Sequence, residues 1–349
     1  MDAASSPAPL PYRKILVLFN PEAGRGQFDK IREGIEAGIE GLTHEVEFVE
    51  IGPETNAREI TAAARKNGFD GILVAGGDGT VAEAAAGLVG EATPLGIIPT
   101  GTANIVATNL AVPSSPREAA RAALLGIAAP FDVGRTDDGK IFLLAAGAGY
   151  DADLIRDADR ELKKRFGPLA YIIAMFKNLR AKRARFTLEL DDGVRVHLHA
   201  KTVLVCNVGR TMGSLPLAPD ARIDDGKLDV VVFRFNDFGQ LLVLFVKAIF
   251  RQLKGDPAVQ FFTSSWVRIS ASRPMPVQVD GEFIDRKTPI DFTVLPGAVQ
   301  IMRPATRPAL DFAGLAESAM KALKDIPGRR TDEPKPSVPE TPAASPPVS

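Results

Sequence analysis

The stretch GILVAGGDGT, residues 71–80, joins a short apolar run to a glycine-rich loop that carries one acidic residue, Asp78. The apolar run predicts a buried strand over 71–75, and the segment after the loop predicts a helix over 81–88. Glycines at such a junction let the backbone approach a phosphate, and the helix start offers free N–H groups to an anion. The stretch therefore predicts a phosphate site at the end of a strand.

The sequence on both sides of this stretch repeats the strand-helix alternation. The predicted order is strand 14–19, helix 27–41, strand 45–51, helix 55–67, strand 71–75, helix 81–88, strand 95–98 and helix 102–110. Such alternation is typical of a parallel α/β sheet with right-handed crossovers. We therefore expect an α/β nucleotide-binding domain over residues 12–130.

The second half of the chain has a different pattern, because strands dominate between residues 131 and 305. Its predicted strands are 141–146, 185–190, 195–206, 228–235, 259–270, 276–279 and 290–295. Asp-Gly pairs at 138–139, 192–193, 225–226 and 280–281 predict hairpins between them. Helical insertions are expected at 151–182 and 238–254. This half is therefore predicted to be a β-rich antiparallel sandwich that carries the substrate.

Two segments are predicted to follow the sandwich. Residues 306–326 form an amphipathic pattern that predicts a helix able to pack back on the first domain. Residues 327–349 are rich in Pro, Ser, Thr and Glu and nearly free of large apolar side chains, which predicts a disordered tail.

Composition narrows the choice of partners and compartment. The 349 residues carry a formal net charge of −1, so no overall field attracts nucleic acid, and no nucleic-acid partner is expected. The single cysteine, Cys206, excludes a disulfide framework and fits a reducing cytoplasm. No apolar stretch reaches the ~18 residues of a spanning helix, and residues 1–11 lack an apolar signal core. We therefore expect a cytoplasmic protein.

Two further strand-to-helix junctions carry glycine-rich turns, at residues 20–26 and 99–104. Ligands bind beyond the carboxyl ends of parallel strands, so the three loops are expected to act together. Thr80 and Thr102 are expected to cap helices or to donate to phosphate. Asp78 would repel a bare phosphate, whereas Mg²⁺ between them would make the contact favourable. The pattern G-x-x-x-x-G-K-[S/T] is absent, and so is G-x-G-x-x-G after the first strand. Their absence disfavours P-loop enzymes and dinucleotide dehydrogenases.

The chain carries seven motifs in this order: Asn20–Gly26, Gly76–Thr80, Pro99–Asn104, Asp132–Gly134, Gly147–Ala152, Pro219–Asp229 and Val279–Glu282. The series resembles the diacylglycerol kinase catalytic-domain superfamily, which includes bacterial diacylglycerol kinases, related lipid kinases, and sphingosine and ceramide kinases. The resemblance extends from residue 14 to residue 303. The central G-G-D-G-T is shared with NAD kinases and, in variant form, phosphofructokinases. The first domain is accordingly expected to be similar to theirs.

The resemblance implies a lipid kinase that uses ATP and Mg²⁺ and phosphorylates a membrane lipid, with diacylglycerol as the default acceptor. It implies a nucleotide site made by Asn20, Pro21, Gly24, Gly76, Gly77, Asp78, Gly79, Thr80, Gly101, Thr102 and Asn104. It implies that Glu282 serves as base or orienting carboxylate for the acceptor hydroxyl, paired with Asp132, and that Asp78 also serves the reaction. From the residues alone, Asp280-Gly281-Glu282 also fits a plain hairpin turn.

The acidic segment around residues 219–229 suits a hard cation, because it crowds carboxylates and turn carbonyls together. The resemblance implies Mg²⁺ held by the carboxylate of Asp225 and the backbone carbonyls of Arg222 and Lys227. An acidic turn without metal is the alternative.

Two positions depart from the family pattern: Ile51 stands where relatives can have threonine, and Ile105 stands where diacylglycerol kinases commonly have aspartate. Thr55 is a possible substitute for the missing threonine. These departures leave open a sphingoid-base or ceramide kinase and a non-catalytic nucleotide-binding membrane adaptor. An NAD kinase-like enzyme, which shares the G-G-D-G-T, is a further alternative.

Basic residues flank apolar runs in both helical insertions, around 160–185 and 241–254. This combination is typical of helices that lie on an anionic membrane surface. We therefore expect peripheral association with the inner face of the membrane, with homodimerisation also allowed. The alternative is that both helices pack on the β-rich half with basic rims.

Overall fold

The computed structural model describes residues 12–20, 28–52, 55–149, 183–211 and 215–305. Outside these ranges lie the expectations for Pro21, Gly24, the insertion at 151–182, the helix at 306–326 and the tail at 327–349. The described helices are α1 (Phe28–Ile39), α2 (Ala57–Ala64), α3 (Asp78–Ala86), α4 (Ile105–Asn109), α5 (Pro116–Leu125) and α6 (Phe238–Ile249).

The strands of the first half are β1 (Lys14–Phe19), β2 (Glu45–Glu50), β3 (Gly71–Gly76), β4 (Leu95–Pro99) and β5 (Ile127–Thr136). Those of the second half are β6 (Ile141–Phe142), β7 (Ala145–Gly149), β8 (Ala184–Leu190), β9 (Arg195–Ala200), β10 (Thr202–Cys206), β11 (Leu228–Phe233), β12 (Val259–Ser264), β13 (Trp266–Ala271), β14 (Pro276–Val279), β15 (Glu282–Lys287) and β16 (Ile290–Arg303).

The first sheet begins as a parallel sheet with helices on both faces. Its strands follow the order β2-β1-β3-β4, and all three pairings are parallel. Side chains of β1 alternate between the two cores: Val17 packs with α1 and α5, while Leu18 packs with α2 and α3. This alternation is the reason that β1 reads as an unbroken apolar run, since both of its faces are buried.

Strand β16, the last one among the described residues, extends this sheet into the second half of the chain. Its Ile301 lies beside Leu95 of β4 in a parallel pairing, and the sheet continues through β13, β8 and β9. Strand β5 also pairs with β16, and the register shifts at a bulge between Leu295 and Val299. The expected domain boundary at residue 130 therefore falls inside a strand, β5.

A second sheet packs on this extension to form the sandwich. Its order is β12-β11-β10-β7-β14-β15, and all of its pairings are antiparallel. Val203 and Val230 of this sheet share a core with Leu188 and Val267 of the first. The predicted fold class, a parallel α/β half followed by an antiparallel β-rich half, is confirmed.

Helix α6 covers the outer face of the second sheet. Its Leu241, Leu244 and Ala248 are buried against Leu204 of β10 and Val231 of β11. Asp237 caps the helix by accepting the Gln240 N–H at 3.0 Å. The helix is therefore anchored by three inward side chains and one polar cap.

Several predicted elements differ from the observed ones. The predicted strands 195–206 and 259–270 are each two strands in different sheets, divided at Lys201 and at Ser265. The alternating pattern continues through these corners because both strands at a corner face the sandwich core. Helix α5 and strand β5 were not predicted. Asp225-Gly226 is not a hairpin turn, because it precedes β11 at the end of a long connection from β10.

Candidate active site

Two of the glycine-rich loops pack directly against each other at the ends of β3 and β4. A Cβ atom added to Gly101 would lie 2.4 Å from the Cα of Gly77, so the backbones touch where no other side chain fits. A Cβ atom added to Gly76 would lie 2.6 Å from that of Thr80. Gly77 and Gly101 therefore permit the close approach of the two loops, and Gly76 leaves room for the Thr80 side chain.

Asp78 joins the loop at residues 76–80 to the segment that follows the loop at residues 99–104. Its carboxylate accepts the Val106 N–H at 3.0 Å, at the start of α4. Burial raises the pKa of Asp78, and the amides of Val106 and Ile105 act in the opposite direction. Asn104, with φ of 48°, closes the third loop by accepting the Gly101 N–H at 2.9 Å and donating to the Gly101 carbonyl at 2.8 Å.

These contacts correct the expected helix caps. Helix α3 begins at Asp78 with Gly77 as its N-cap, so Thr80 lies within the first turn. Helix α4 begins at Ile105 with Asn104 as its N-cap, so Thr102 precedes the helix and is exposed. Neither threonine caps a helix, because each helix begins elsewhere than predicted. Thr80 nevertheless faces the cavity described next.

A cavity of about 610 Å³ lies between the α/β half and two hairpins of the β-rich half. Among the predicted site residues, Asn20, Gly79, Thr80 and Glu282 line it. Asn20 follows β1, Gly79 and Thr80 begin α3, and Glu282 begins β15. The structure thus brings the second-half glutamate to the first-half loops, where a Cβ on Gly79 would lie 3.9 Å from Glu282 Oε1.

Two cations that sequence reasoning missed also line the cavity: Arg58 of α2 and Lys140 of the β5–β6 hairpin. The Lys140 Nζ lies 3.5 Å from Glu282 Oε2. Cations at this position can meet the charge of a bound phosphate. The Asp138-Gly139 turn could have pointed to Lys140, but an isolated lysine after a turn forms no motif.

The turn that carries Lys140 is held by Arg286 of β15. The Arg286 guanidinium donates to Asp137 and to Asp138, each at 2.9 Å. Arg286 lies on β15, the strand that Glu282 begins. It therefore connects the turn that carries Lys140 to the strand that carries Glu282.

Asp280, the first residue of the D-G-E sequence, lines the cavity and has φ of 48°. Its carboxylate accepts the N–H groups of Leu143 and Leu144 at 2.8 Å and that of Ala145 at 3.0 Å. Burial raises its pKa to about 6; the three amides act in the opposite direction, and Asp78 adds to the increase. Sequence reasoning treated Asp280 as a turn residue only.

This pKa predicts how stability depends on pH. Asp280 binds its proton more tightly in the folded protein than at the ordinary value of 3.8, so its contribution to the free energy of unfolding falls as pH rises from about 4 to about 6. Urea unfolding of wild type and Asp280→Asn across this range isolates the contribution. The stability advantage of wild type over Asp280→Asn is expected to shrink as pH rises. A constant or growing advantage would contradict the assignment.

The carboxylate of Asp132 has hydrogen-bond partners of its own. It is buried, and its carboxylate accepts the N–H groups of Gly226 and Gly297 at 2.7 Å each. Glu282 lines the cavity and pairs with Lys140, whereas Asp132 is not among the lining residues, and the shared role implied for the two carboxylates stays a prediction. Asp132 ties the turn before β11 to the bulge of β16, which is a structural use of the carboxylate.

We expect Asp132→Ala to lower the free energy of unfolding by about 2–4 kcal/mol, because it leaves two partly buried amides without an acceptor. Chemical denaturation measures the change. Asp285→Ala removes an exposed carboxylate from β15 and is expected to change stability little. An Asp132→Ala protein of normal stability that lacks activity would instead support a direct role in the reaction.

The predicted metal site lies apart from the cavity lining. Asp225 is exposed, and its Oδ1 accepts the Lys227 N–H at 3.1 Å. Asp229 nearby has its pKa raised to about 6 by burial and by Asp225 and Asp220. Within the described ranges, no three His, Cys, Asp or Glu side chains are grouped to hold a metal ion. One carboxylate with backbone carbonyls is a donor set that suits Mg²⁺, and the site stays a prediction.

The two residues that depart from the family pattern, Ile51 and Ile105, are both buried in one core. Ile51 is 4% exposed and packs in the core beneath α2, so its side chain belongs to the hydrophobic interior. Thr55 lines the cavity, as the suggested substitute for the missing threonine requires. Ile105 is buried at the start of α4 and packs in the same core.

None of the helices in the described part of the chain combines the length and apolar character needed to cross a membrane.

Comparison with known proteins places both halves in one family. Residues 14–136 match the diacylglycerol kinase catalytic domain, and residues 145–303 match the YegS C-terminal NAD kinase beta sandwich-like domain. A diacylglycerol kinase of Mycobacterium tuberculosis (strain ATCC 25618 / H37Rv) is 32% identical over 301 residues, which cover 83% of this chain and 95% of that protein. A diacylglycerol kinase of Bacillus subtilis (strain 168) is 29% identical, with 78% and 90% covered.

A crystal structure of a diacylglycerol kinase from Bacillus anthracis str. Sterne has the same fold, with a TM-score of 0.66 and 23% identity. The match covers 84% of this chain and 97% of that one. The motif order, the two-part fold and these matches agree. The chain therefore belongs to the diacylglycerol kinase superfamily of lipid kinases.

Proposed function

We propose that this protein transfers the γ-phosphoryl group of ATP to the hydroxyl of a membrane lipid, with diacylglycerol as the acceptor and phosphatidic acid as the product. The main support is the cavity in which the start of α3, with Gly79 and Thr80, faces Glu282. Such an arrangement lets a phosphate donor and a hydroxyl acceptor meet in one place. The diacylglycerol kinase names of its relatives support this acceptor.

The donor side is formed by the ends of β1 and β3, where Asn20, Gly79 and Thr80 line the cavity. The start of α3 presents backbone N–H groups, and Arg58 and Lys140 add positive charge around the cavity. Phosphoryl transfer mainly requires positioning and charge neutralisation, because the transition state is loose and its charge lies on the phosphoryl oxygens. These residues supply both requirements.

Mg²⁺ suits the donor type available beside the cavity, because Asp78 begins α3 directly before the cavity-lining Gly79 and Thr80, and a carboxylate oxygen is a ligand that Mg²⁺ accepts. When bound with the nucleotide, Mg²⁺ supplies neutralisation of phosphate charge. Asp78 is the residue that would hold it, while its carboxylate also positions α4 through Val106.

The acceptor side rests on Glu282, whose side chain is 70% exposed and paired with Lys140. In the reaction the bond between the γ-phosphorus and its bridging oxygen breaks, and a bond to the lipid oxygen forms. The hydroxyl proton passes to Glu282, and ADP leaves. Lys140 can move from Glu282 to the phosphates, which would free the carboxylate to accept the proton.

The test is incubation of the full-length protein with γ-labelled ATP, Mg²⁺ and separate acceptors in detergent micelles. The acceptors are diacylglycerol, sphingosine, ceramide, NAD and a soluble polyol. We expect label in phosphatidic acid. Label on sphingosine or ceramide instead would overturn diacylglycerol as acceptor, and label only on NAD or the polyol, or none, would overturn the lipid-kinase proposal.

A further inference from the structure

Strand β15 contains a bulge shortly after its cavity residue Glu282. Two residues of β15, Asp285 and Arg286, stand opposite the single step from Val277 to Pro276 of β14. A bulge bends its strand and re-aims a side chain, and bulges are common beside active sites. This bulge therefore allows Arg286 to leave the regular alternation of β15 and to reach the neighbouring hairpin.

The Arg286 guanidinium joins the bulge to the turn between β5 and β6. It donates to both carboxylate oxygens of Asp137, at 2.9 and 3.1 Å, and to Asp138 at 2.9 Å. The Thr136 hydroxyl contributes most to lowering the pKa of Asp138, and Arg286 acts in the same direction. A planar guanidinium holds two carboxylates in a fixed geometry, whereas an ammonium meets them as a point charge. Arg286 therefore fixes the orientation of the turn as well as neutralising its charge.

The backbone of the turn carries this orientation over to Lys140. The Thr136 N–H donates to the Lys140 carbonyl at 2.9 Å, and the Thr136 carbonyl accepts the Gly139 N–H at 3.0 Å. Gly139 has φ of 89°, which suits glycine. The turn is thus one tight unit with Arg286 bound at its tip. The Lys140 side chain extends from it into the cavity, where its Nζ lies 3.5 Å from Glu282 Oε2.

The backbone at Glu282 is fixed by contacts other than those of Arg286. Two residues before Glu282, the Asp280 carboxylate accepts three consecutive backbone N–H groups that lead into β7. The Gln278 side chain accepts the Gly281 N–H at 2.9 Å. Loss of the Arg286 contacts would therefore release the turn of Lys140 while the backbone of Glu282 keeps its place.

We propose that Arg286 is a positioning residue of the kinase site, which acts from outside the cavity by holding Lys140 where it meets the phosphates of the nucleotide. Among the described residues, Lys140 lines the cavity, whereas Arg286, Asp137 and Asp138 do not. A cation that is already in place when charge develops costs no reorganisation during the reaction, and phosphoryl transfer depends on such positioning. The inference deepens the proposed function and rests on it for the phosphate that Lys140 meets.

The alternative is that Arg286 only stabilises the β-rich half. Arg195 of β9 provides the control, because it pairs with Glu189 of β8 at 3.2 Å and likewise joins two segments of this half. Strand β9 lies at the end of the first sheet, and neither Arg195 nor Glu189 lines the cavity. Arg195→Gln therefore removes an arginine–carboxylate pair without touching the Lys140 turn.

The experiment compares Arg286→Gln, Lys140→Gln, the double variant and Arg195→Gln in the full-length protein. Steady-state kinetics with ATP, Mg²⁺ and diacylglycerol in detergent micelles give kcat and the Michaelis constants. Hydrogen exchange measured by mass spectrometry on the segment 131–142 reports on the turn, since the N–H groups of Thr136 and Gly139 are bonded within it. Urea unfolding establishes that each variant folds.

We expect Lys140→Gln to lower kcat about 10²-fold, the scale of a lost charge-stabilising group, and Arg286→Gln to lower it about tenfold by displacing that group. The Michaelis constant for diacylglycerol should stay within about twofold, because the turn of Glu282 keeps its own contacts. In the Lys140→Gln background, Arg286→Gln should change kcat by less than about twofold, since its effect passes through Lys140. Arg195→Gln should leave kcat and exchange of the turn unchanged. Unchanged kcat in Arg286→Gln or Lys140→Gln, a further tenfold loss in the double variant, or an equal loss in Arg195→Gln would overturn the proposal.

Hydrogen exchange separates this inference from the proposed function, because it requires no substrate. Arg286→Gln should speed exchange of the turn about tenfold by weakening its local stability. Lipid phosphorylation that is the same in wild type and Arg286→Gln would defeat the positioning role and leave the kinase standing. Faster exchange in Arg286→Gln, without lipid phosphorylation by wild type, would defeat the kinase and leave the hold of Arg286 on the turn standing.

Discussion

Replacement of Glu282 by Gln should lower kcat for lipid phosphorylation by about 10²–10⁴-fold, the range typical of a lost proton acceptor. The Michaelis constant for ATP should change much less, because the proposed nucleotide site is formed by residues of the first half, such as Gly79 and Thr80. Stability should be nearly unchanged, since Glu282 is largely exposed and its ion pair with Lys140 is of the weak surface kind. Steady-state kinetics and thermal unfolding measure these effects.

Glu83→Gln is the matched control, because Glu83 is a second glutamate of the same cavity but lies on α3. It removes the same charge from the cavity without removing the proposed proton acceptor. Its kcat should stay within a few-fold of wild type. Equal losses in both variants would mean that cavity charge, and not proton acceptance, explains the effect, and full activity of Glu282→Gln would refute its role outright.

Asp78→Ala should reduce phosphoryl transfer by about 10²–10³-fold or more, the scale expected when a charge-stabilising group is lost. The structure adds a second consequence that the sequence did not predict. Since Asp78 accepts the Val106 N–H at the start of α4, the variant should also lose about 1 kcal/mol of stability. Kinetics with varied Mg²⁺, together with urea unfolding, measure both.

Asp78→Asn separates the two roles of this residue. The amide keeps an oxygen for the Val106 N–H and removes the negative charge, so it should restore most of the stability but not the activity. An Asp78→Asn enzyme with near wild-type kcat would show that the carboxylate only positions α4. In that case Mg²⁺ would have to meet a different residue.

Local patterns predicted the parallel half of the fold well. Strand β1 was predicted with its observed bounds, because both faces are buried and the apolar run has no interruption. The sandwich corners at Lys201 and Ser265 could not be located, because an alternating pattern carries no mark of the sheet to which a strand belongs. Helix α5 was missed although Pro116 begins it, a position that favours proline.

The candidate site was predictable where a motif named the residue and not where the partner was distant in sequence. Glu282 and the loop residues Gly79 and Thr80 were found through their motifs and do line one cavity. Lys140 and Arg58 were missed, since only the folded chain brings them there. Asp132 was found by motif, but its role depends on contacts with Gly226 and Gly297, far along the chain.

The pairing of β16 with β4 has a consequence for biosynthesis. Leu95 of β4 pairs with Ile301 of β16. Strand β4 therefore lacks its second neighbour until more than two hundred further residues have left the ribosome. Until then β4 exposes unpaired backbone groups, the condition in which nascent sheets aggregate. Such distant closure also slows folding. A growing chain of this protein thus depends on β16 to complete the half that is made first.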